Sequence, residues 1–401
     1  MEKQKTFDNL SLLPQEEMLE MKQGFNKLNI GVPQETSFQE NRISLTPESV
    51  SLLTSHGHQI LLESNAGVKS NFSDDQYLKA GAKIVSSKKE VYSSDIIVKV
   101  EPPTESELNL LKKGQQLISA IQLKTRNKDY FLQLIKKHVL SIAIEHIRDN
   151  DGKLTLLRSM SEIAGNTSVL IASEYLSNVN AGKGLMLGGI TGVSPTSIVV
   201  IGAGTVGEYA SKTGIGLGAN VKVFDTSLSR LRRLQEITHR NISTSIIHPK
   251  ILEKAITRAD VVIGALRSGD GRTPCVVSNE MVSMMKEGSV IVDVSIDQGG
   301  CFETSKVTTH KDPIFEKHGV IHYCVPNIPS RVSRTSSIAI SNVIVPILIN
   351  IGQRGGAYNL IKTDDGFRKG VYTLNGMMTN KTLSDMFDLQ YKDLDLIISA
   401  L

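Results

Sequence analysis

Ser197-Ile-Val-Val-Ile-Gly-Ala-Gly-Thr-Val-Gly207 opens with a β-branched apolar run and closes on glycines at 202, 204 and 207. The apolar run has the composition of a buried parallel strand. The glycines permit a tight turn, and a helical stretch follows to about Gly218. A second apolar run, Val221-Lys-Val-Phe224, ends on Asp225, about twenty residues beyond the first glycine. Glycines alone often serve only as turns. Strand, glycine turn, helix, strand and terminal acid together form a dinucleotide-binding fingerprint, with pyrophosphate seated on the unpaired N–H groups of the helix N-terminus. Gly202, Gly204, Val206 and Gly207 are the candidate phosphate cradle. A carboxylate at Asp225 accepts hydrogen bonds from ribose hydroxyls and repels a 2′-phosphate, so NAD is the expected cofactor. Arg230 is a further cofactor candidate, or part of a solvated helix face with Arg232 and Arg233.

Outward from this unit the chain alternates strand and helix. Strands are expected near 28–33, 59–64, 83–87, 96–101, 116–122 and 139–145, with helices at 46–56, 105–113 and 128–138 between them. A second series runs from Ser197 through strands near 260–266, 289–296 and 320–325. Two such series predict an α/β protein with two doubly wound, Rossmann-like parallel sheets. A long apolar helix is expected from Thr335 to Gly352, and residues 354–401 have too few strands for a sheet of their own. The expected layout is a discontinuous substrate domain, 1–155 (with an N-terminal arm at 1–27) and 334–401, around a nucleotide-binding domain at 156–333. The crevice between the sheets is the expected active site.

Composition narrows the function. The 401 residues carry 45 Lys and Arg against 41 Asp and Glu, and the resulting charge of +4 is too small and dispersed for a nucleic-acid partner. The three cysteines lack metal-ligand or paired spacing and suit a reducing cytoplasm. The longest apolar run, 343–351, is interrupted by Pro346 and Asn350 and is too short to span a bilayer. A soluble, cytoplasmic protein is expected.

The chain resembles the family of alanine dehydrogenase and the first domain of the proton-translocating transhydrogenase. The resemblance spans roughly residues 28–385 and rests on Gly31-Val-Pro-Gln-Glu-Thr-Ser-Phe-Gln-Glu-Asn-Arg42-Ile-Ser-Leu-Thr-Pro47, Met160-Ser-Glu-Ile-Ala-Gly165, the glycine turn, Val292-Asp-Val-Ser-Ile-Asp-Gln-Gly-Gly300 and Asn327-Ile-Pro-Ser330. It implies a homo-oligomer, hexamer or dimer, acting on a small amino acid. It further implies that Arg42 holds the substrate carboxylate, a task suited to a guanidinium fork. Asp297 is implied beside the nicotinamide, assisting proton transfer or orienting water. Ser161 is implied as a cofactor contact, and Leu266 and Asn327 as lining the nicotinamide pocket. Each has a plainer reading: Arg42 in a surface ion pair with Glu40, Asp297 as a turn or cap, Ser161 as an N-cap.

Two positions depart from the family pattern. Its carboxylate-binding lysine is matched by Glu101, and its acid–base histidine by Gln122. An acid repels a substrate carboxylate at short range, and glutamine cannot shuttle a proton. Glu101 and Lys99, two apart on an expected strand, would share a face, leaving Glu101 as a candidate base. Lys124, two beyond Gln122, is a lesser candidate. His322 reads as a core residue and His146 as a weak base candidate. Oxidative deamination of L-alanine is the leading expectation. A dehydrogenase of another amino acid, or a non-catalytic NAD-binding protein, is the alternative that Glu101 and Gln122 leave open.

Overall fold

The computed structural model describes residues 26–122, 126–180, 182–239, 242–268 and 271–399. The N-terminal arm, save its last two residues, and Lys124 lie outside these segments.

The first sheet contains β1 (Asn29–Val32), β2 (Gln59–Glu63), β3 (Lys83–Val85), β4 (Ile96–Val98), β5 (Gln116–Ser119) and β6 (Leu140–Ala143). The second contains β7 (Ser197–Ile201), β8 (Asn220–Asp225), β9 (Ser243–Ile246), β10 (Val261–Gly264), β11 (Val290–Asp293), β12 (Ile314–Lys317) and β13 (Val320–Tyr323). The late hairpin β14 (Val371–Leu374) and β15 (Met377–Met378) returns to the first sheet. The sheet orders are β15-β14-β6-β5-β4-β1-β2-β3 and β12-β13-β11-β10-β7-β8-β9. Pairing is parallel except at one edge of each sheet, where β14 and β15, and β12 against β13, run antiparallel. The expected α/β class with two Rossmann-like sheets is therefore present, with those antiparallel edges added.

Central strands such as Ile96-Ile-Val98 and Val261-Val-Ile-Gly264 are buried throughout, as strands covered on both faces must be. Two long helices join the halves. The crossing helix, Thr155–Leu176, packs so closely on the glycine-loop helix, Thr205–Gly216, that a Cβ on Gly165 would stand 2.4 Å from the Val206 carbonyl oxygen. The return helix, Ser333–Gln353, buries Ile340, Ile344, Val345, Leu348 and Ile351 in the core of the first sheet. With the short turn before it, this helix is long and apolar enough to cross a bilayer, but that burial marks it as a core element.

Each sheet reverses strand order at one point, between β1 and β4 in the first and between β7 and β10 in the second. The loops after β1, β4, β7 and β10 emerge there at the strand carboxyl ends, where open α/β sheets bind ligands.

Candidate active site

The glycine turn follows β7 at the second switch point. Gly202 has φ +114°, a conformation costly for a residue with a Cβ, and a Cβ there would also meet the Ala265 carbonyl oxygen at 2.4 Å. Gly207 lies against Gly202, where a Cβ would fall 1.8 Å from its carbonyl oxygen. Gly204, by contrast, faces open space, and the helix it caps has no side-chain partner for its first N–H groups. Open space beside unsatisfied amides at a helix N-terminus suits a bound phosphate. Glu208 is an acid in that first turn, but Lys212 at 2.7 Å and Arg233 at 2.8 Å neutralise it.

Asp225 ends β8 and is 1% exposed. Its Oδ2 accepts the Ala203 N–H at 2.7 Å and its Oδ1 the Ser227 N–H at 2.7 Å. It thus ties the glycine turn to the next strand, a role the sequence did not reveal, and retains two lone-pair positions for a ligand. Arg230 is exposed, with Nη1 3.9 Å from Asp225 Oδ2 at the edge of the same turn.

Ser161 is not an N-cap. It lies inside the crossing helix, where its hydroxyl donates to the Leu157 carbonyl at 2.8 Å. It sits one turn before Gly165, on the helix that touches Val206. Leu266 follows β10 and is half-buried.

The first switch point carries Arg42 after β1 and Glu101 after β4. Arg42 is buried, and its ion pair with Glu40 is not the surface pair that the plainer reading supposed. Its backbone N–H and Nε both donate to Glu40 Oε1, at 2.8 and 2.7 Å. Nη2 donates to Glu40 Oε2 at 2.5 Å and reaches Glu101 Oε1 at 3.4 Å. Among the described residues, Nη1 hydrogen-bonds only the Met160 sulfur, at 3.5 Å. Burial opposes ionisation of Glu40, but the Arg42 guanidinium outweighs it and holds the carboxyl at about 2. Burial first, and then the neighbouring Glu40, push Glu101 up to about 9 against the pull of Arg42. Glu101 is therefore a neutral acid at neutral pH.

The strand expected to carry Lys99 and Glu101 stops at Val98, so the shared-face argument does not hold. Lys99 joins Glu35 at 3.2 Å and Glu107 at 3.3 Å, while Glu101 belongs to the Arg42 group. Likewise β5 stops at Ser119 rather than 122. Gln122 lies in the following loop with φ 50°, exposed, because the chain turns where Glu145 accepts the Ile121 N–H at 2.7 Å.

Asp297 is exposed in a short 3-10 turn after β11, and Asn327 follows β13 with φ 57°. The Asn327 N–H donates to Asp297 Oδ1 at 3.2 Å, and its side-chain Nδ2 donates to Glu40 Oε2 at 3.1 Å. The two halves meet again where the Asn41 N–H donates to Ser330 Oγ at 2.9 Å and Ser330 Oγ donates to the Gln39 carbonyl at 2.6 Å. Glu40 and Ser330 were not singled out as site residues from sequence, although both lie inside the quoted motifs. The serine spacing was the available signal, with Ser330 in the turn before the return helix and 333, 337 and 341 along one face of it.

His322 is the satisfied core histidine expected: Nδ1 lies 2.9 Å from the Val320 carbonyl and Nε2 2.8 Å from Thr304 Oγ1. Burial lowers it to about 4, so it stays neutral. His146 lies in a half-buried 3-10 turn after β6. No grouping of side chains among the described residues is arranged to hold a metal ion.

Comparison with known proteins agrees with this geometry. The pattern described as the alanine dehydrogenase/PNT N-terminal domain matches residues 31–164, and that of the C-terminal domain matches 168–381. The chain is 39% identical over 373 residues to an alanine dehydrogenase of Staphylococcus epidermidis, covering 92% of this chain and 99% of that protein. It is 38% identical over 369 residues to alanine dehydrogenase 2 of Staphylococcus aureus, with the same coverage. A solved L-alanine dehydrogenase superposes with a TM-score of 0.84 at 36% identity, covering 90% of this chain and 99% of that one. A transhydrogenase from Sinorhizobium meliloti, at 23% identity and TM-score 0.76 over 88% of this chain and 99% of its own, shares the fold.

Proposed function

The chain belongs to the alanine dehydrogenase/PNT family, and from that premise we propose that it is an NAD-dependent dehydrogenase converting L-alanine to pyruvate and ammonia. The observation that carries this reading is the chain of contacts Arg42–Glu40–Asn327–Asp297, which joins the carboxyl ends of the two sheets across the crevice. In this reading residues 1–155 and 334–401 form the substrate domain and 156–333 the nucleotide domain.

Gly202, Gly204, Val206 and Gly207 cradle the pyrophosphate, with Asp225 and Arg230 beside the adenosine ribose. Ser161, Leu266 and Asn327 line the nicotinamide end. When bound, the nicotinamide accepts a hydride from the substrate α-carbon. Arg42 offers the substrate carboxylate its Nη1 edge, because Nε and Nη2 are already engaged. A neutral Glu101 places no second anion beside that edge at neutral pH. Once ionised, Glu101 accepts the ammonium proton, and a carboxyl held at about 9 is well matched to an amine donor. Asp297 orients the water that hydrolyses the resulting imine and takes its proton. Gln122 assists through hydrogen bonding alone.

Three unpaired cysteines suit a reducing cytoplasm. A homo-oligomer, hexamer or dimer, is supported by Met186, Ile190 and Val193, which expose apolar side chains to 61%, 63% and 60% beside the nucleotide-binding sheet. Kinship with enzymes over nearly the whole chain weighs against a non-catalytic NAD-binding protein. The test is NADH formation from a panel of L-amino acids, with NAD and NADP compared. Alanine-dependent turnover favouring NAD is expected. Tight NAD binding without turnover on any amino acid would refute the enzymatic reading.

A further inference from the structure

Arg42 has five N–H donors on its guanidinium, and their allocation limits what it can do. Glu40 occupies Nε through Oε1 and one Nη2 hydrogen through Oε2, and also accepts the Arg42 backbone N–H. The guanidinium thereby donates two hydrogen bonds to one carboxylate, which fix its plane, and the backbone N–H donates a third. The fourth bond to Glu40 comes from the other half of the molecule: Asn327 Nδ2 donates to Oε2 at 3.1 Å. Asn327 in turn holds Asp297 through its backbone N–H at 3.2 Å. Glu40 is 1% exposed, so these bonds are sheltered from water, where charge-assisted hydrogen bonds count most.

We propose that Glu40 is a positioning residue that sets Arg42 relative to Asp297 by bridging the two sheets through the Asn327 side chain. Glu40 touches no reacting atom. Its two oxygens divide the work: Oε1 orients Arg42, and Oε2 holds both Arg42 and the Asn327 loop. The spacing between the substrate-carboxylate group and the group that handles water is then fixed by one buried side chain rather than by two loops moving separately. Charged neighbours on every side bear on this bridge: Arg42 and Glu101 within the first sheet, Glu35 and Lys99 behind them, and His310 beside Asn327. Arg42, Asn327 and the protonated Glu101 carboxyl all bond to the Glu40 side chain, and of these only Asn327 comes from the second sheet's half of the molecule.

The inference rests on the alanine dehydrogenase reading for its kinetic arm, and the test separates the two. Steady-state kinetics with L-alanine compare the native enzyme, Glu40→Gln, Asn327→Gly and the double variant. Glycine is used at 327 because its backbone accepts the left-handed φ without strain. Glu40→Gln should raise KM for alanine by about tenfold or more, with a smaller change in kcat and unchanged NAD affinity by calorimetry. Asn327→Gly should raise KM by a smaller factor. The double variant should be no worse than Glu40→Gln, because both substitutions break the same bridge. Multiplicative effects in the double variant would overturn the proposal, as would loss of NAD binding in a folded Glu40→Gln variant. If the native protein turns over no alanine, the functional reading fails and the bridge is read by amide hydrogen exchange instead. Faster exchange of the Arg42 amide in Asn327→Gly supports it, and unchanged exchange overturns it.

Discussion

The two switch points do their work with different parts of the chain. At the glycine turn after β7 the backbone supplies the chemistry: left-handed φ at Gly202, uncapped amides beyond Gly204, and Asp225 holding the turn through the Ala203 and Ser227 N–H groups. At the turns after β1 and β4 side chains supply it, with the Glu40 carboxylate and the Glu101 carboxyl sharing one guanidinium. A backbone-built site tolerates changes in most side chains around it. A site built of buried charges changes character when one residue changes sign, because each charge sets the protonation of its neighbours. Substitutions that alter chemistry should therefore concentrate on the carboxylate side, and those that alter stability and cofactor preference on the glycine side.

The largest effect is expected from Asp297→Asn, which keeps the shape and removes the charge. Turnover should fall by about 10²–10⁴-fold while NAD affinity stays near native by calorimetry. A variant that lost only thermal stability would make Asp297 a turn-former and weaken the contrast. Next is Glu101→Gln. Native alanine oxidation should rise as pH approaches about 9, where Glu101 ionises, and the variant should lack that limb and fall well below native. Stability gives an independent reading of the same group. The folded carboxyl sits at about 9 against 4.5 ordinarily, so between these values the folded state holds the extra proton. The native protein should lose stability as pH rises through that window, and Glu101→Gln should remove this loss in thermal melts taken across the range. Parallel pH dependence in both proteins would show that Glu101 is ionised throughout.

Sequence reading served the two regions unequally. The parallel strands were legible because burial on both faces demands continuous apolar runs such as Ile198-Val-Val-Ile201. Two antiparallel additions and the polar edge strand Ser243-Thr-Ser-Ile246 were not: β9 and β12 are short edge strands that need no apolar run, and the buried β14 is only four residues long. Asn375-Gly376, both left-handed between Leu374 and Met377, was a hairpin signal that the eye could have caught. Motif residues fall in the loops after the strands, and strand ends were set too late at 101, 122 and 296. A strand stops where its backbone pairing stops, and side-chain type near the end does not report that. The Glu40–Arg42 pair was visible as neighbouring residues. That it is buried and bridged to Asn327 depends on how two distant segments pack, which spacing along the chain does not encode.

The smallest effects contrast two groups at the glycine turn itself. Asp225→Ala leaves the Ala203 and Ser227 N–H groups without their buried acceptor, at a cost of about 1–3 kcal/mol each. Thermal stability should drop, NAD binding should weaken, and discrimination against NADP should relax. Arg230→Ala removes an exposed side chain whose only ion pair among the described residues is at 3.9 Å, an interaction on the order of 0–1 kcal/mol. Its melting temperature should be indistinguishable from native, and the NAD to NADP ratio of kcat/KM should move by about threefold at most. The two variants together decide what holds the cofactor preference. If Arg230→Ala shifted that ratio as far as Asp225→Ala, preference would reside in exposed charge near the ribose. A shift confined to Asp225→Ala would place it in the buried acid that also shapes the turn, where cofactor choice and loop geometry are one structural decision.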